Sequence, residues 1–136
     1  LDASTKIENY AFKGCNSLED VRMPNVVSIG EGAFYNTALK RLDLPNCSSI
    51  DKVAFNDCKK LTVVNSTNLT SIGESAFEGC ENLEEVELPH CKLIGKNAFK
   101  DCYKLKKITI PKSCKVEENS LLYKLVVDGK LKIIKV

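Results

Sequence analysis

The residues of this 136-residue chain whose types could carry chemistry are seven cysteines, one histidine and three Asn-x-Ser/Thr sequons. Cysteine and histidine together raise zinc, a thiolate nucleophile or a disulfide framework. The spacing supports none of the catalytic or metal versions. There is no C-x-x-C pair, and no histidine stands at zinc-ligand spacing from one. His90 follows Pro89, in a slot held by Asn25 and Asn46 elsewhere in the chain, and reads as a turn residue. Catalysis needs a nucleophile, a base and an orienting group brought together. Here the Ser and Asp residues scatter over turns and share no recurring position, so the chain reads as non-enzymatic, with no cofactor and no metal. The sequons, Asn46-Cys47-Ser48, Asn65-Ser66-Thr67 and Asn68-Leu69-Thr70, matter only in a eukaryotic secretory route.

The thiols sort into columns instead. Cys15, Cys58, Cys80 and Cys102 recur at one position, with Thr37 in the same slot of the second copy. Cys47 and Cys91 recur at another, shared with Val26 and Leu69, and Cys114 lies one residue off it. Slots that accept Val, Leu or Thr want a small buried side chain, and free cysteine is among the most buried residue types. Buried free thiols account for the pattern. Cys58, Cys80 and Cys102 nonetheless sit on successive copies, where disulfide distances remain possible.

The columns belong to a repeat centred on Ser71 to Cys91, SIGESAFEGCENLEEVELPHC. The Ala-Phe pair recurs at Ala11-Phe12, Ala33-Phe34, Ala54-Phe55, Ala76-Phe77 and Ala98-Phe99, in steps of 22, 21, 22 and 22. A period of 20–29 residues marks a stacked solenoid whose coils share one core. All five phenylalanines lie in one column. An isoleucine column (Ile7, Ile29, Ile50, Ile72, Ile94), a leucine column (Leu18, Leu39, Leu61, Leu83, Leu105) and the prolines (Pro24, Pro45, Pro89, Pro111) follow the same period. L-x-x-V-x-L-P ends in apolar alternation, which predicts one short parallel strand per coil, closed by the proline. A-F-x-x-C predicts a single helical or 3₁₀ turn on the opposite side. The residue before the Cys slot is Gly14, Asn36, Asp57, Gly79 or Asp101, types that tolerate a left-handed turn exit. Gly30, Gly73 and Gly95 mark a second tight place.

Leu1, Asp2, Ala3, Ser4 and Ile7 align with Leu44, Pro45, Asn46, Cys47 and Ile50, so the chain reads as starting in mid-repeat, as a piece of something longer. Residues 1–116 form the solenoid, a partial coil plus five full ones. Beyond Val116 the repeat fades. Tyr123–Val127, Asp128-Gly129 and Lys130–Val136 read as a hairpin around a D-G turn, so 117–136 is expected to cap the open end or to start a following module.

L-x-x-V-x-L-P joined to I-G-x-x-A-F-x-x-C resembles the BspA-type leucine-rich repeats of bacterial and protist surface proteins, over residues 1 to about 116. The resemblance implies a right-handed, arc-shaped leucine-rich-repeat solenoid of the α/β class, a cell-surface or secreted setting, and adhesion to host or bacterial protein partners. Two departures stand out. The second coil is one residue short between Thr37 and Leu39. The third has Ser66 and Thr67 where the family has Leu and Pro.

With 20 basic and 18 acidic residues the net charge is +2, which suggests neither nucleic acid nor an anionic membrane as partner. No run is apolar and long enough to span a bilayer, and no signal peptide is present. The outward strand slots carry the information about partners. Parallel stacking sets Glu19 beside Lys40, Asp20 beside Arg41, Arg22 beside Asp43, Glu84 beside Lys106 and Glu85 beside Lys107, pairs that would hold the sheet in register. The third coil alone has uncharged outward slots. The candidate partner-binding face is therefore Thr62, Val63 and Asn65 with Glu84, Glu85 and Glu87, where Glu87 has only Asn65 and Thr109 beside it. A protein partner on this face and a purely structural spacer are the two readings. Ser66, in an inward slot, is expected to be a weak point unless it finds a backbone carbonyl.

Overall fold

A computed structural model of the chain describes residues 5–118 and 132–135. The first coil's copy of the L-x-x-V-x-L segment, Leu18 to Met23, is not a strand, but the second to fifth coils each contribute a three- or four-residue strand there. These are β3 (Arg41–Asp43), β5 (Val63–Asn65), β7 (Glu85–Glu87) and β9 (Lys107–Ile110), joined by β11 (Lys132–Lys135). They stack in parallel as one five-stranded sheet in the order β11-β9-β7-β5-β3. The register is that of the repeat: Leu42 beside Val64, Val64 beside Val86, Val86 beside Ile108. In β3 and β7 the central residue is buried and its neighbours are exposed, as apolar alternation requires.

The sequence led to one strand per coil, and the structure has two in each of the second to fifth coils. The serine-isoleucine pairs form β2 (Ser28–Ile29), β4 (Ser49–Ile50) and β6 (Ser71–Ile72). With β1 (Lys6–Ile7), β8 (Leu93–Ile94) and β10 (Lys115–Val116) they make a second, six-stranded parallel sheet in the order β1-β2-β4-β6-β8-β10. Two residues are too few for alternation to show in a sequence.

The A-F-x-x-C segment is not helical; among the described residues no helix is assigned. Its N–H groups alternate. In the third coil Ala54, Asn56 and Cys58 donate back three residues, to Asp51, Val53 and Phe55, while Val53, Phe55 and Asp57 donate to Glu74, Ala76 and Glu78 of the next coil. An α-helix would turn every N–H inward and leave none for the neighbour. Consecutive turns do both jobs, and inter-coil bonding decides the conformation. Such turns need two left-handed residues per coil. One is the anticipated exit: Gly14, Asn36, Asp57, Gly79 and Asp101 have φ of 74°, 56°, 59°, 79° and 61°. The other precedes the alanine, where Tyr10, Gly32, Val53, Ser75 and Asn97 have φ of 51–60°.

The core is a set of columns running along the stack. Phe34, Phe55, Phe77 and Phe99 are buried, with Phe12 at the end. Successive rings lie 5.2, 5.3, 5.4 and 5.5 Å apart and near-parallel. The isoleucine and leucine columns are buried from Ile29 and Leu39 onward. The second tight place is an inter-coil contact: a Cβ on Gly73 would lie 2.5 Å from the Lys52 backbone nitrogen. The hairpin expected in 117–136 lies largely outside the described residues. Of that segment, β11 adds to the solenoid sheet, parallel to β9 with Ile133 beside Ile108.

Candidate binding face

The five-stranded sheet brings the six sequence-selected residues onto one surface. Val63 lies beside Glu85 and Asn65 beside Glu87, and Glu87 lies beside Thr109 on its other side. Thr62, Glu85 and Glu87 are exposed; Val63, Asn65 and Glu84 are partly so. Thr62, Val63, Glu84, Glu85 and Lys106 line a shallow depression of about 260 Å³. A second, of about 540 Å³, is lined by Glu84, Tyr103, Lys104, Leu105 and Lys106, with Tyr103 61% exposed. The Glu84–Lys106 ion pair, 3.0 Å, stands between the two.

Some of the anticipated charge pairs form and others do not. Lys40 reaches Glu19 at 3.5 Å and Lys106 reaches Glu84. Arg41 does not turn to Asp20; its Nε donates along its own strand to Asp43 Oδ2 at 2.7 Å. The first coil's copy of the segment is not a strand and β3 ends the sheet, so no strand register holds Asp20 beside Arg41. The Arg41 contact takes Asp43 from Arg22. The Arg41 guanidinium holds the Asp43 carboxyl below the usual carboxylate range, against a small opposing effect of burial, and the Asn65 amide donates to Asp43 Oδ1 at 3.3 Å. Glu85 lies in register with Lys107, yet among the described residues neither Glu85 nor Glu87 is in an ion pair. The unneutralised part of the face is thus Glu85, Glu87, Val63 and Thr109.

Ser66 is buried and its hydroxyl donates to the Leu44 carbonyl at 3.0 Å. The expected weak point is therefore a satisfied inter-coil bond. Thr62 does the same at the strand's entry, donating to the Lys40 carbonyl at 3.1 Å. The third coil thus replaces one apolar contact, at Ser66, with a hydrogen bond to the coil before it, and adds a second bond at Thr62.

The thiols are free. Cys58, Cys80 and Cys102 are buried, and each Sγ donates to the phenylalanine carbonyl of the preceding coil, to Phe34, Phe55 and Phe77, at 3.1 Å. Burial pushes Cys47 up to about 11, pushes Cys91 up to about 12, and raises Cys80 and Cys102 as well. Such thiols are protonated at neutral pH and shielded from reagents in solution. Cys15 departs from its column: it is exposed, because no described coil packs ahead of it. His90 is an exposed turn residue. Among the described residues no cluster of three or more His, Cys, Asp or Glu is arranged as a metal site, and no helix is long and apolar enough to cross a membrane.

Sequence reasoning missed an asparagine ladder on the turns. Asn46, Asn68 and Asn82 donate through Nδ2 to the carbonyls of Pro24, Pro45 and Lys59, one coil back, at 2.6–2.7 Å. The recurrence of Asn25, Asn46 and Asn68 after or near the proline slot was the available signal. With Asn65, which donates to Asp43, all three sequon asparagines therefore already use the nitrogen that glycosylation would take.

The geometry matches known proteins along nearly the whole chain. The Treponema pallidum leucine-rich repeat protein TpLRR superposes with a TM-score of 0.75 at 26% identity, over 96% of this chain and 80% of that one. The pneumococcal vaccine antigen PcpA superposes with a TM-score of 0.64 at 21% identity, over 99% of this chain but 42% of that one, and shares the fold. No curated protein gives a match. The BspA-type leucine-rich repeat model matches residues 5–125 in six copies. A repeat of 21–22 residues, stacked in register on Phe, Ile and Leu columns, thus carries both the sequence and the structural likeness, and the chain belongs to the BspA-type leucine-rich repeat family.

Proposed function

We propose that this chain is a non-catalytic protein-binding module that mediates adhesion for a surface or secreted protein. Its partner contacts the five-stranded sheet around Thr62, Val63, Asn65, Glu84, Glu85 and Glu87. The observation that carries the reading is the break in internal charge pairing. Elsewhere on the face Lys40, Arg41 and Lys106 have carboxylate partners. The third coil's own outward slots, Thr62, Val63 and Asn65, are uncharged, and Glu85 and Glu87 beside them have no cation in ion-pair contact among the described residues. A protein surface can bury the neutral centre and supply the cation at the rim. The family supports a surface setting, and one structural neighbour is described as a pneumococcal vaccine antigen.

The test is binding of the isolated chain to immobilised host extracellular-matrix and bacterial surface proteins, compared with Val63→Glu/Asn65→Glu. Like charges added beside Glu85 and Glu87 are expected to abolish binding while the circular dichroism spectrum is unchanged. Undiminished binding removes this face. The same ion pairs favour a second reading: Glu19–Lys40 and Glu84–Lys106 satisfy the sheet internally, as a spacer holding another domain would need. A chain that binds nothing in the panel, within a parent whose activity survives replacement of the coils by an unrelated solenoid, establishes that reading instead.

A further inference from the structure

We infer that Cys91 and Cys114 are a thiol pair that closes into an inter-coil disulfide on exposure to a small-molecule disulfide such as oxidised glutathione. Both residues end the same kind of turn. Cys91 N–H donates to the Leu88 carbonyl at 3.2 Å, and Cys114 N–H to the Pro111 carbonyl at 3.1 Å. Adjoining strands then fix the offset. Leu93 lies beside Lys115 and Ile94 beside Val116. Cys91 is thus two residues ahead of its strand and Cys114 one residue ahead of the neighbouring strand. The turn that ends at Cys114 is shifted by one residue relative to the turn that ends at Cys91, so the residue off its column in the sequence takes the equivalent turn end on the adjoining coil, one inter-coil step from Cys91.

Access and the strength of the existing contacts single out this pair among the seven. Cys58, Cys80 and Cys102 are buried and held 3.1 Å from phenylalanine carbonyls. Cys47 is buried and held 3.3 Å from the Ser49 carbonyl. Cys15 is exposed but alone. Cys114 is half-exposed, and its thiol makes only a long 3.8 Å approach to the Lys115 carbonyl. It is therefore a thiol that a solvent-borne reagent can reach, with buried Cys91 at the equivalent turn end of the adjoining coil. Cys91 gives up contacts of 3.4 and 3.7 Å, to the Leu93 and Thr70 carbonyls, when it reacts.

The exchange runs in two steps. Cys114 loses its proton to water, and its thiolate attacks one sulfur of the glutathione disulfide. That S–S bond breaks, a mixed disulfide forms on Cys114, and one glutathione thiolate leaves and is protonated. Cys91 then loses its proton and attacks the Cys114 sulfur. The mixed disulfide breaks and the second glutathione leaves. Two protein thiols are oxidised, one glutathione disulfide is reduced to two thiols, and the bridge ties the fourth coil to the fifth. Burial raises both thiols above the ordinary thiol range, Cys91 to about 12, so closure speeds up as the medium becomes alkaline.

The experiment incubates the folded chain with oxidised glutathione, blocks remaining thiols, and maps peptides by mass spectrometry without reduction. The expected product is a Cys91–Cys114 linked peptide in the wild type. In Cys91→Ser the expected product is glutathione retained on Cys114, and in Cys114→Ser neither. The bridged protein is expected to melt about 5–10 °C higher, a gain reversed by dithiothreitol. Stable glutathione on Cys114 in the wild type, or a bridge joining any other pair in its place, overturns the inference. So does unmodified Cys114 after incubation at pH 9.

Discussion

Replacing Phe77 by alanine is the sharpest probe of the column model. Phe77 is fully buried, with Phe55 at 5.4 Å on one side and Phe99 at 5.5 Å on the other, at interplanar angles of 5° and 2°. Truncating a buried phenylalanine costs about 3–5 kcal/mol in lost transfer energy and residual cavity. Two stacked neighbours place this site at the upper end, since each aromatic pair adds about 0.5–1.5 kcal/mol beyond its area. The backbone carbonyl that accepts the Cys102 thiol is kept, so the loss reports the ring alone. Phe12 is the internal comparison. It is 38% exposed and stacks only on Phe34 among the described residues, so Phe12→Ala is expected to cost about half as much, roughly 1.5–2.5 kcal/mol. Urea unfolding followed by circular dichroism measures both, with exposed Lys60→Ala as control. The reasoning fails if Phe77→Ala shifts the midpoint no more than Lys60→Ala. It also fails if Phe12→Ala matches Phe77→Ala.

Ser66→Ala is expected to lower stability by about 1 kcal/mol, because it frees the Leu44 carbonyl from the hydroxyl bond; a thermal melt that rises would show the hydroxyl to be unsatisfied. Val53→Asn is expected to raise stability by about 1 kcal/mol, since Val53 is a β-branched residue at φ 51° in a slot where Asn97 sits at φ 58°; an unchanged or lowered melting temperature refutes that account. Native labelling of the reduced chain with a maleimide is expected to modify Cys15 and Cys114 quickly and the five buried thiols only after unfolding, and mapped modification of Cys58, Cys80 or Cys102 at the Cys15 rate would contradict it. Buried thiols whose folded pKa is raised favour the folded state fully below their unfolded value of about 9. They lose that contribution as pH climbs through their folded values, about 11 for Cys47 and about 12 for Cys91. Wild type minus Cys47→Ala stability is therefore expected to shrink between pH 9 and 11, and a difference that grows with pH has the wrong sign.

The coil period, the columns and the left-handed exit were legible because each is repeated five times, and stacking makes the same demand of each copy. Gly14, Asn36, Asp57, Gly79 and Asp101 share a conformation, not a chemistry, and the sequence shows it through the residue types that tolerate it. The second left-handed slot was illegible for the converse reason. Tyr10, Val53 and Ser75 are not types that favour positive φ, and inter-coil bonds from their own N–H groups, to Glu31, Glu74 and Lys96, hold them there. The same bonds explain the missing helical turn. Local propensity describes one coil, whereas the conformation of A-F-x-x-C is set by the coil beside it. On the binding face, register was predictable from the repeat, but the Arg41–Asp43 contact was not, since alignment between coils says nothing about a competitor two residues away on the same strand.

Binding on such a stack is in tension with stability. In-register stacking turns any column into a ladder, so a column that pairs well is used up in holding the solenoid together: Glu19 with Lys40, Glu84 with Lys106, Asn65 with Asp43. A site for a partner can open only where a coil leaves its column. The third coil does this, and it does not collapse, because Ser66 replaces lost side-chain packing with a bond to the Leu44 carbonyl and Thr62 adds one to the Lys40 carbonyl. That substitution leaves the coil's outward slots neutral without loosening the sheet beneath them. Restoring the column there, with Val63→Lys between Glu85 and the Asp43-paired Arg41, is expected to leave the fold intact, since exposed cross-strand pairs of either sign change stability by at most about 1 kcal/mol. It is also expected to weaken partner binding by neutralising Glu85 from within. Binding that survives Val63→Lys, with the melting temperature unchanged or raised, would show that the partner does not read the gap in the charge ladder.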